Sequence, residues 1–179
     1  MQKVISFLGI LLIGCLLLAN RPIMKLNAKA EVKWLTLEEF QAEYAKQPKP
    51  VLVDLYTSWC GWCKVMDRET YSDEKVIQYI NSHYYAIKFD AERKDSVMWN
   101  GKKYGYNAQY KTNELAIFLT GGRLSYPTTV FIPDLNGPAA PLAGYLKIKD
   151  FEPPLRFFGD GAYKTQNYPT FMQSFKSSW

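Results

Sequence analysis

The chain has 179 residues, with 22 Lys plus Arg against 17 Asp plus Glu, a net charge of +5, 47% hydrophobic residues and 16% aromatic residues. That apolar content excludes wholesale disorder, and the single long hydrophobic run excludes a polytopic membrane protein. Three cysteines and one histidine are too few for a disulfide-stapled scaffold, and two Cys with one His fall short of a four-ligand structural zinc site.

From Val4 to Ala19 run 16 residues without a charge, preceded by Lys3 and followed by Asn20, Arg21 and Pro22. A helix of that length spans about 24 Å, short of the roughly 30 Å hydrocarbon core. Residues 1–30 therefore read as a signal peptide or membrane-anchor leader, ahead of one domain over 31–179. Three fates stay open: cleavage after Ala28-Lys29-Ala30, lipidation at Cys15 in Leu12-Ile13-Gly14-Cys15, or an uncleaved anchor. All three place the domain outside the cytoplasm, as in a bacterial periplasm.

The leader holds Lys3, Arg21, Lys25 and Lys29 and no acid. Removing those four leaves 18 basic groups against 17 acidic ones in the domain, so the charge gives no support to a nucleic-acid partner.

From about Trp34 an α/β pattern begins. Thr36-Leu37-Glu38-Glu39 predicts a capping box, with Leu37, Phe40 and Tyr44 on one helical face and an end before Pro48 and Pro50. Val51 to Thr57 is short, β-branched and apolar apart from Asp54, as expected of a central strand covered on both faces. A helix is predicted from about Cys60, a second from a Ser72 cap through Val76, Ile77 and Ile80, and an alternating strand over Tyr84 to Phe89.

Residues 91–125 read as an insertion. In it, Asn100-Gly101 between two short strands is a hairpin signal, and Thr112 to Leu119 predicts a helix closed by Gly121-Gly122. Thr128 to Ile132 is a strand, Asp134 to Gly137 a turn and Leu142 to Ile148 a further strand. In the tail, Phe151, Leu155, Phe157, Phe158, Phe171 and Phe175 are expected over the sheet, with Pro153, Pro154 and Pro169 breaking the helix into pieces.

Cys60-Gly61-Trp62-Cys63, between a strand and a helix, carries the chemistry. The first sulfur lies beside free N–H groups at the positive end of the helix, which favours thiolate over thiol. The second, three residues on, is placed to resolve a mixed disulfide formed by the first. A metal knuckle or a static disulfide is the competing reading, weakened by the absence of a second cysteine pair. His83, the only histidine, has no triad to join and reads as structural.

Val53-Asp54-Leu55-Tyr56-Thr57-Ser58-Trp59-Cys60-Gly61-Trp62-Cys63-Lys64 resembles the active-site strand and turn of the thioredoxin superfamily, and the likeness extends from about Trp34 to Leu146. The leader and the C-G-W-C-K form are similar to exported bacterial thioredoxin-like proteins; Trp62 stands where thioredoxin itself has proline.

The resemblance implies a thioredoxin fold, a central mixed β-sheet flanked by helices, with the insertion preceding a cis-proline strand. Of the two Tyr-Pro-Thr runs, the one at 126–128 fits, because Pro127 immediately precedes an apolar strand. The implied activity is that of an exported thiol-disulfide oxidoreductase, more a reductant than an oxidant. Cys60 would be the nucleophile, Cys63 the resolving cysteine and Asp54 a proton relay. The implied substrate contacts are Trp59, Gly61, Trp62, Tyr126, Pro127 and Thr128.

The implied partners are proteins bearing thiols or disulfides and a membrane electron donor, with no metal and no organic cofactor. A redox-silent peptide-binding or chaperone-like module of the same fold is the alternative.

Overall fold

The computed structural model describes residues 30–179. Residues 1–29 of the leader, with the lipidation point at Cys15 and the anchor reading, therefore lie outside the described residues, which begin at Ala30, the other processing point. Among the described residues no helix is long and apolar enough to cross a membrane.

The elements follow in chain order: β1 (Trp34–Leu35), α1 (Leu37–Lys46), β2 (Val51–Tyr56), α2 (Gly61–Glu69), α3 (Glu74–His83) and β3 (Tyr85–Asp90). Four short strands come next, β4 (Val97–Trp99), β5 (Lys102–Tyr104), β6 (Tyr106–Asn107) and β7 (Thr112–Asn113), then α4 (Glu114–Thr120), β8 (Thr128–Ile132) and β9 (Ala140–Ala143). The tail holds α5 (Ile148–Gly159), a 3-10 turn over Ala162–Lys164 and α6 (Tyr168–Ser174).

Five strands form one mixed sheet in the order β1-β3-β2-β8-β9. β2 runs parallel to β3 and antiparallel to β8, so the central strand is covered on both edges and the first five of its six residues, Val51 to Leu55, are all buried. On one face, Leu37 and Phe40 of α1 and Leu115 and Leu119 of α4 pack on Val53, Leu55 and Val130. On the other, Met66 of α2, Ile77 and Ile80 of α3 and Phe151 and Leu155 of α5 pack on Leu52, Ala86 and Phe131. This three-layer mixed sheet is the thioredoxin fold expected from the sequence.

Local signals explain several boundaries. The Thr36 hydroxyl accepts from Glu39 N at 3.1 Å while the Glu39 carboxylate accepts from Thr36 N at 2.9 Å, the reciprocal capping box. Asn100 and Gly101 take φ of 46° and 75°, the paired left-handed conformations of a type I′ hairpin turn joining β4 to β5.

Five expectations need correction. The cap of α3 is Asp73, whose carboxylate accepts from Lys75 N and Val76 N, while Ser72 donates back to the Arg68 carbonyl. Thr112 and Asn113 are strand rather than helix, paired with β6, and the Asn113 side chain caps α4 from that position. The last strand is Ala140–Ala143 rather than Leu142–Ile148: Gly144 turns the chain at φ 98°, and α5 starts at Ile148. Pro141 is accommodated because β9 is an edge strand, where a missing N–H need break no ladder.

Pro153 and Pro154 lie inside α5 without ending it. Proline φ is already helical, and the carbonyls deprived of partners belong to Lys149 and Asp150, both exposed residues that water can reach. Phe151, Leu155 and Phe157 are buried, but Phe171 and Phe175 are only half-buried and stack on Phe157 and on each other rather than covering the sheet.

Candidate active site

β2 ends at Tyr56, and the turn of Thr57 to Cys60 closes with the Cys60 amide donating to the Thr57 carbonyl at 3.2 Å. Cys60 is then the N-cap of α2, and its sulfur accepts from Cys63 N at 3.0 Å. Cys60 and Cys63 are joined in a disulfide, and the two residues are 4% and 3% exposed. A sulfur capping a helix N-terminus gains the same free N–H groups and dipole that would stabilise a thiolate.

β2 and β8 are in register with Leu55 opposite Thr128, so the Tyr126-Pro127 peptide, which is cis, lies across from the strand end that leads into the cysteines. Tyr126 is half-buried and its ring meets Trp59 edge-on at 6.1 Å. The Tyr126 hydroxyl lies 3.4 Å from Thr112 Oγ1, so β7 of the insertion supports it.

Trp59 and Trp62 are 66% and 62% exposed beside the covered disulfide. Gly61 is exposed between them, and Lys64 is exposed on the next turn. Thr128 stands apart from this surface: it is buried, and its hydroxyl donates to the Ser125 carbonyl at 2.7 Å.

Asp54 is 2% exposed, on the α3–α5 face of the sheet. Its Oδ1 has no hydrogen-bond partner among the described residues, and its Oδ2 lies 3.5 Å from Lys88 Nζ. Lys88 is directly opposite Asp54 in the parallel β2–β3 register and is shared with Asp67 of α2 in a short ion pair. The Lys88 ammonium also lies over the rings of Tyr56 and Trp34 at 5.3 and 5.5 Å.

Burial is the main force on Asp54, raising its pKa; Lys88 opposes it and Asp67 reinforces it, leaving Asp54 at about 7. A carboxyl that loses its proton near neutrality can both give and take one, which is what a proton relay requires. On the far side of Asp54, Thr129 of β8 bonds its Oγ1 to the Tyr71 hydroxyl at 3.1 Å, and Tyr71 is held protonated by burial.

Lys88 and Asp67 are the residues that sequence reasoning overlooked. Each carried a signal: Lys88 is the one charge inside β3 before its last residue, and Asp67 falls one turn after Cys63 on α2. Tyr145 was also overlooked and had no local signal; its ring stacks on Trp62 at 5.6 Å.

His83 ends α3, stacked on Tyr79 at 4.0 Å with Nδ1 3.0 Å from both Ser82 Oγ and the Tyr79 carbonyl, a structural placement. No group of three or more His, Cys, Asp or Glu side chains placed to hold a metal exists among the described residues.

The family model Thioredox_DsbH, described as a protein of unknown function (DUF255), matches residues 14–141. The chain belongs to this family. Among curated relatives, the thiol:disulfide interchange protein DsbD of Yersinia enterocolitica is 28% identical over 156 residues, 79% of this chain and 24% of its own length. The DsbD of Campylobacter jejuni is 36% identical over 59 residues, 33% of this chain and 10% of its own length. The chain thus spans only a tenth to a quarter of these DsbD relatives.

Among solved structures, a DsbH oxidoreductase superposes with a TM-score of 0.51 at 18% identity, covering 86% of this chain and 96% of the other. A putative disulphide-isomerase from Bacteroides thetaiotaomicron gives 0.52 at 22% identity, covering 78% and 100%. Both likenesses concern the fold, which this Thioredox_DsbH member shares.

Proposed function

We propose that this chain is an exported thiol-disulfide oxidoreductase that reduces disulfides in protein substrates. The observation that carries the reading is the Cys60–Cys63 disulfide capping α2, six residues after a buried Asp54 that titrates near neutrality. The thiol:disulfide interchange relatives support exchange chemistry, and the apolar leader supports a location outside the cytoplasm.

In the proposed cycle the reduced Cys60 thiolate attacks one sulfur of a substrate disulfide, forming a mixed disulfide and releasing the other substrate sulfur as a thiolate. Cys63 gives its proton to the Asp54 carboxylate and attacks Cys60 Sγ, so that the Cys60–Cys63 disulfide forms and the second substrate sulfur leaves, to be protonated. Two electrons pass from the pair to the substrate. A dithiol donor, in this reading a membrane reductase, then returns the pair to its reduced form.

Trp59, Gly61, Trp62 and the Tyr126-Pro127 edge receive the substrate chain, and Thr128 contributes from within by anchoring that edge through Ser125.

The test is reduction of an insulin-type disulfide by the purified protein with a dithiol donor, alongside Cys60→Ser and Cys63→Ser. Loss of activity in Cys60→Ser and accumulation of a mixed disulfide in Cys63→Ser are expected. Full activity of Cys60→Ser would overturn the assignment; cysteines whose alkylation mass is the same before and after mild reduction would favour a redox-silent peptide-binding module.

A further inference from the structure

We propose that Tyr145 sets the substrate class of the Cys60–Cys63 site, bracing Trp62 as an apolar platform that selects polypeptide disulfides over small-molecule ones. The proposal rests on the exchange function above and specifies what that site accepts.

The disulfide is almost covered, yet Trp59 and Trp62 on either side of it are both more than half exposed. Two large aromatic side chains turned to solvent at a covered reactive group mark a contact surface rather than a core. Each indole is supported by a second ring, Trp59 by Tyr126 from the side and Trp62 by Tyr145 in a stack with 20° between planes.

The two supports differ in origin. Tyr126 belongs to the cis-proline loop, whereas Tyr145 comes from the β9–α5 connection.

That connection is fastened to the helix that Trp62 opens. The Tyr145 hydroxyl donates to Glu69 Oε2 at 2.7 Å, and the next residue's carbonyl, that of Leu146, accepts from Thr70 Oγ1 at 2.6 Å. The residue before it, Gly144, donates its N–H to the Pro127 carbonyl at 2.8 Å. One short loop thus ties α2, the Trp62 platform and the cis-proline loop into a single rigid unit.

With one indole face covered and its support held by three hydrogen bonds, Trp62 offers a preorganised surface that loses little freedom on binding. A polypeptide lying along the Tyr126-Pro127 edge brings the side chain beside its cysteine onto that surface. A short polar disulfide such as oxidised glutathione reaches the sulfur but has no apolar side chain to lay on the ring.

The test is stopped-flow oxidation of the pre-reduced protein by two disulfides: a peptide with Phe adjacent to its cysteine, and oxidised glutathione. In Tyr145→Ala and in Tyr145→Leu, which keeps bulk but loses the ring, the ratio of rate constants, peptide over glutathione, is expected to fall about three- to tenfold, the value of one aromatic pair. Tyr145→Phe keeps the stack and is expected to retain most of the ratio. Equal slowing toward both disulfides, or a ratio unchanged in both ring-deleting variants, overturns the proposal while leaving exchange intact. Wild-type protein oxidised by neither disulfide overturns exchange itself, and the proposal with it.

Discussion

Replacing Asp54 with Asn should stabilise the protein, by an amount that grows with pH. In the unfolded chain an aspartate ionises at about 3.9. In the folded protein burial, helped by Asp67 and opposed by Lys88, keeps the proton on Asp54 up to about 7.

Below both values the two states are equally protonated and Asp54 has no effect on folding through this route. Between them the unfolded chain releases the proton and the folded one holds it, so stability falls by about 1.4 kcal/mol for each pH unit. Above about pH 7 the loss is complete, at roughly 4 kcal/mol.

Asparagine has the same shape and cannot ionise. Relative to wild type, Asp54→Asn is therefore expected to gain about 2 kcal/mol near pH 5.5 and about 4 kcal/mol near pH 8, less a pH-independent constant for exchanging a protonated carboxyl for an amide at this site. Urea denaturation of the oxidised proteins at these two pH values measures the difference, in which that constant cancels. A stability gain that is the same at both, or larger at the lower one, would refute the placement of the Asp54 titration.

The neighbours of Asp54 should move the chemistry in opposite directions. Lys88→Gln removes the cation that favours the ionised carboxylate and should shift the pH midpoint for resolution of a mixed disulfide upward; Asp67→Asn should shift it downward, both read from resolution rates against pH.

In the hairpin, Gly101→Val places a β-branched residue at φ 75° and should cost about 1–2 kcal/mol in a urea titration. In the tail, burial pushes Glu152 up, but bonds from Ser177, Ser178 and Arg156 hold it below the usual carboxylate range. Ser177→Ala should therefore cost about 1–3 kcal/mol at neutral pH. The part of the cost that comes from Glu152 ionisation should fade as pH falls below about 4.3, where the unfolded carboxyl takes up its proton, and through the lower folded value.

Features that act over a few residues were legible in the sequence, and those assembled across strands were not. Thr36 with Glu39, and Asn100 with Gly101, are self-contained: each satisfies or bends backbone within four residues, so a pattern suffices to read it. Cys60 and Cys63 share this property, because one turn of helix and its N-terminus supply both the spacing and the polarity of the site. The errors at Leu142–Ile148 and at Pro153-Pro154 arose where the surroundings overrule the pattern. An edge position lets Pro141 stay in a strand, and exposed first-turn residues let α5 run through two prolines.

The same distinction divides the chemistry. The residues that would move electrons lie within one motif, so the reaction class could be read from the chain. The groups that tune the proton come together only through the β2–β3 register, which sets Lys88 against Asp54, and through the packing of α2, which adds Asp67 to the same ammonium. Tyr145 is further removed still, brought to Trp62 by a loop whose path depends on Gly144 and on a hydroxyl bond to Glu69. In the proposed cycle, a protein of this fold could therefore keep its cysteine motif while changing acidity and substrate preference through residues 25 and 82 positions away from it, Lys88 from Cys63 and Tyr145 from Cys63, so that the motif would specify the kind of exchange and the tertiary contacts its pH range and substrate preference.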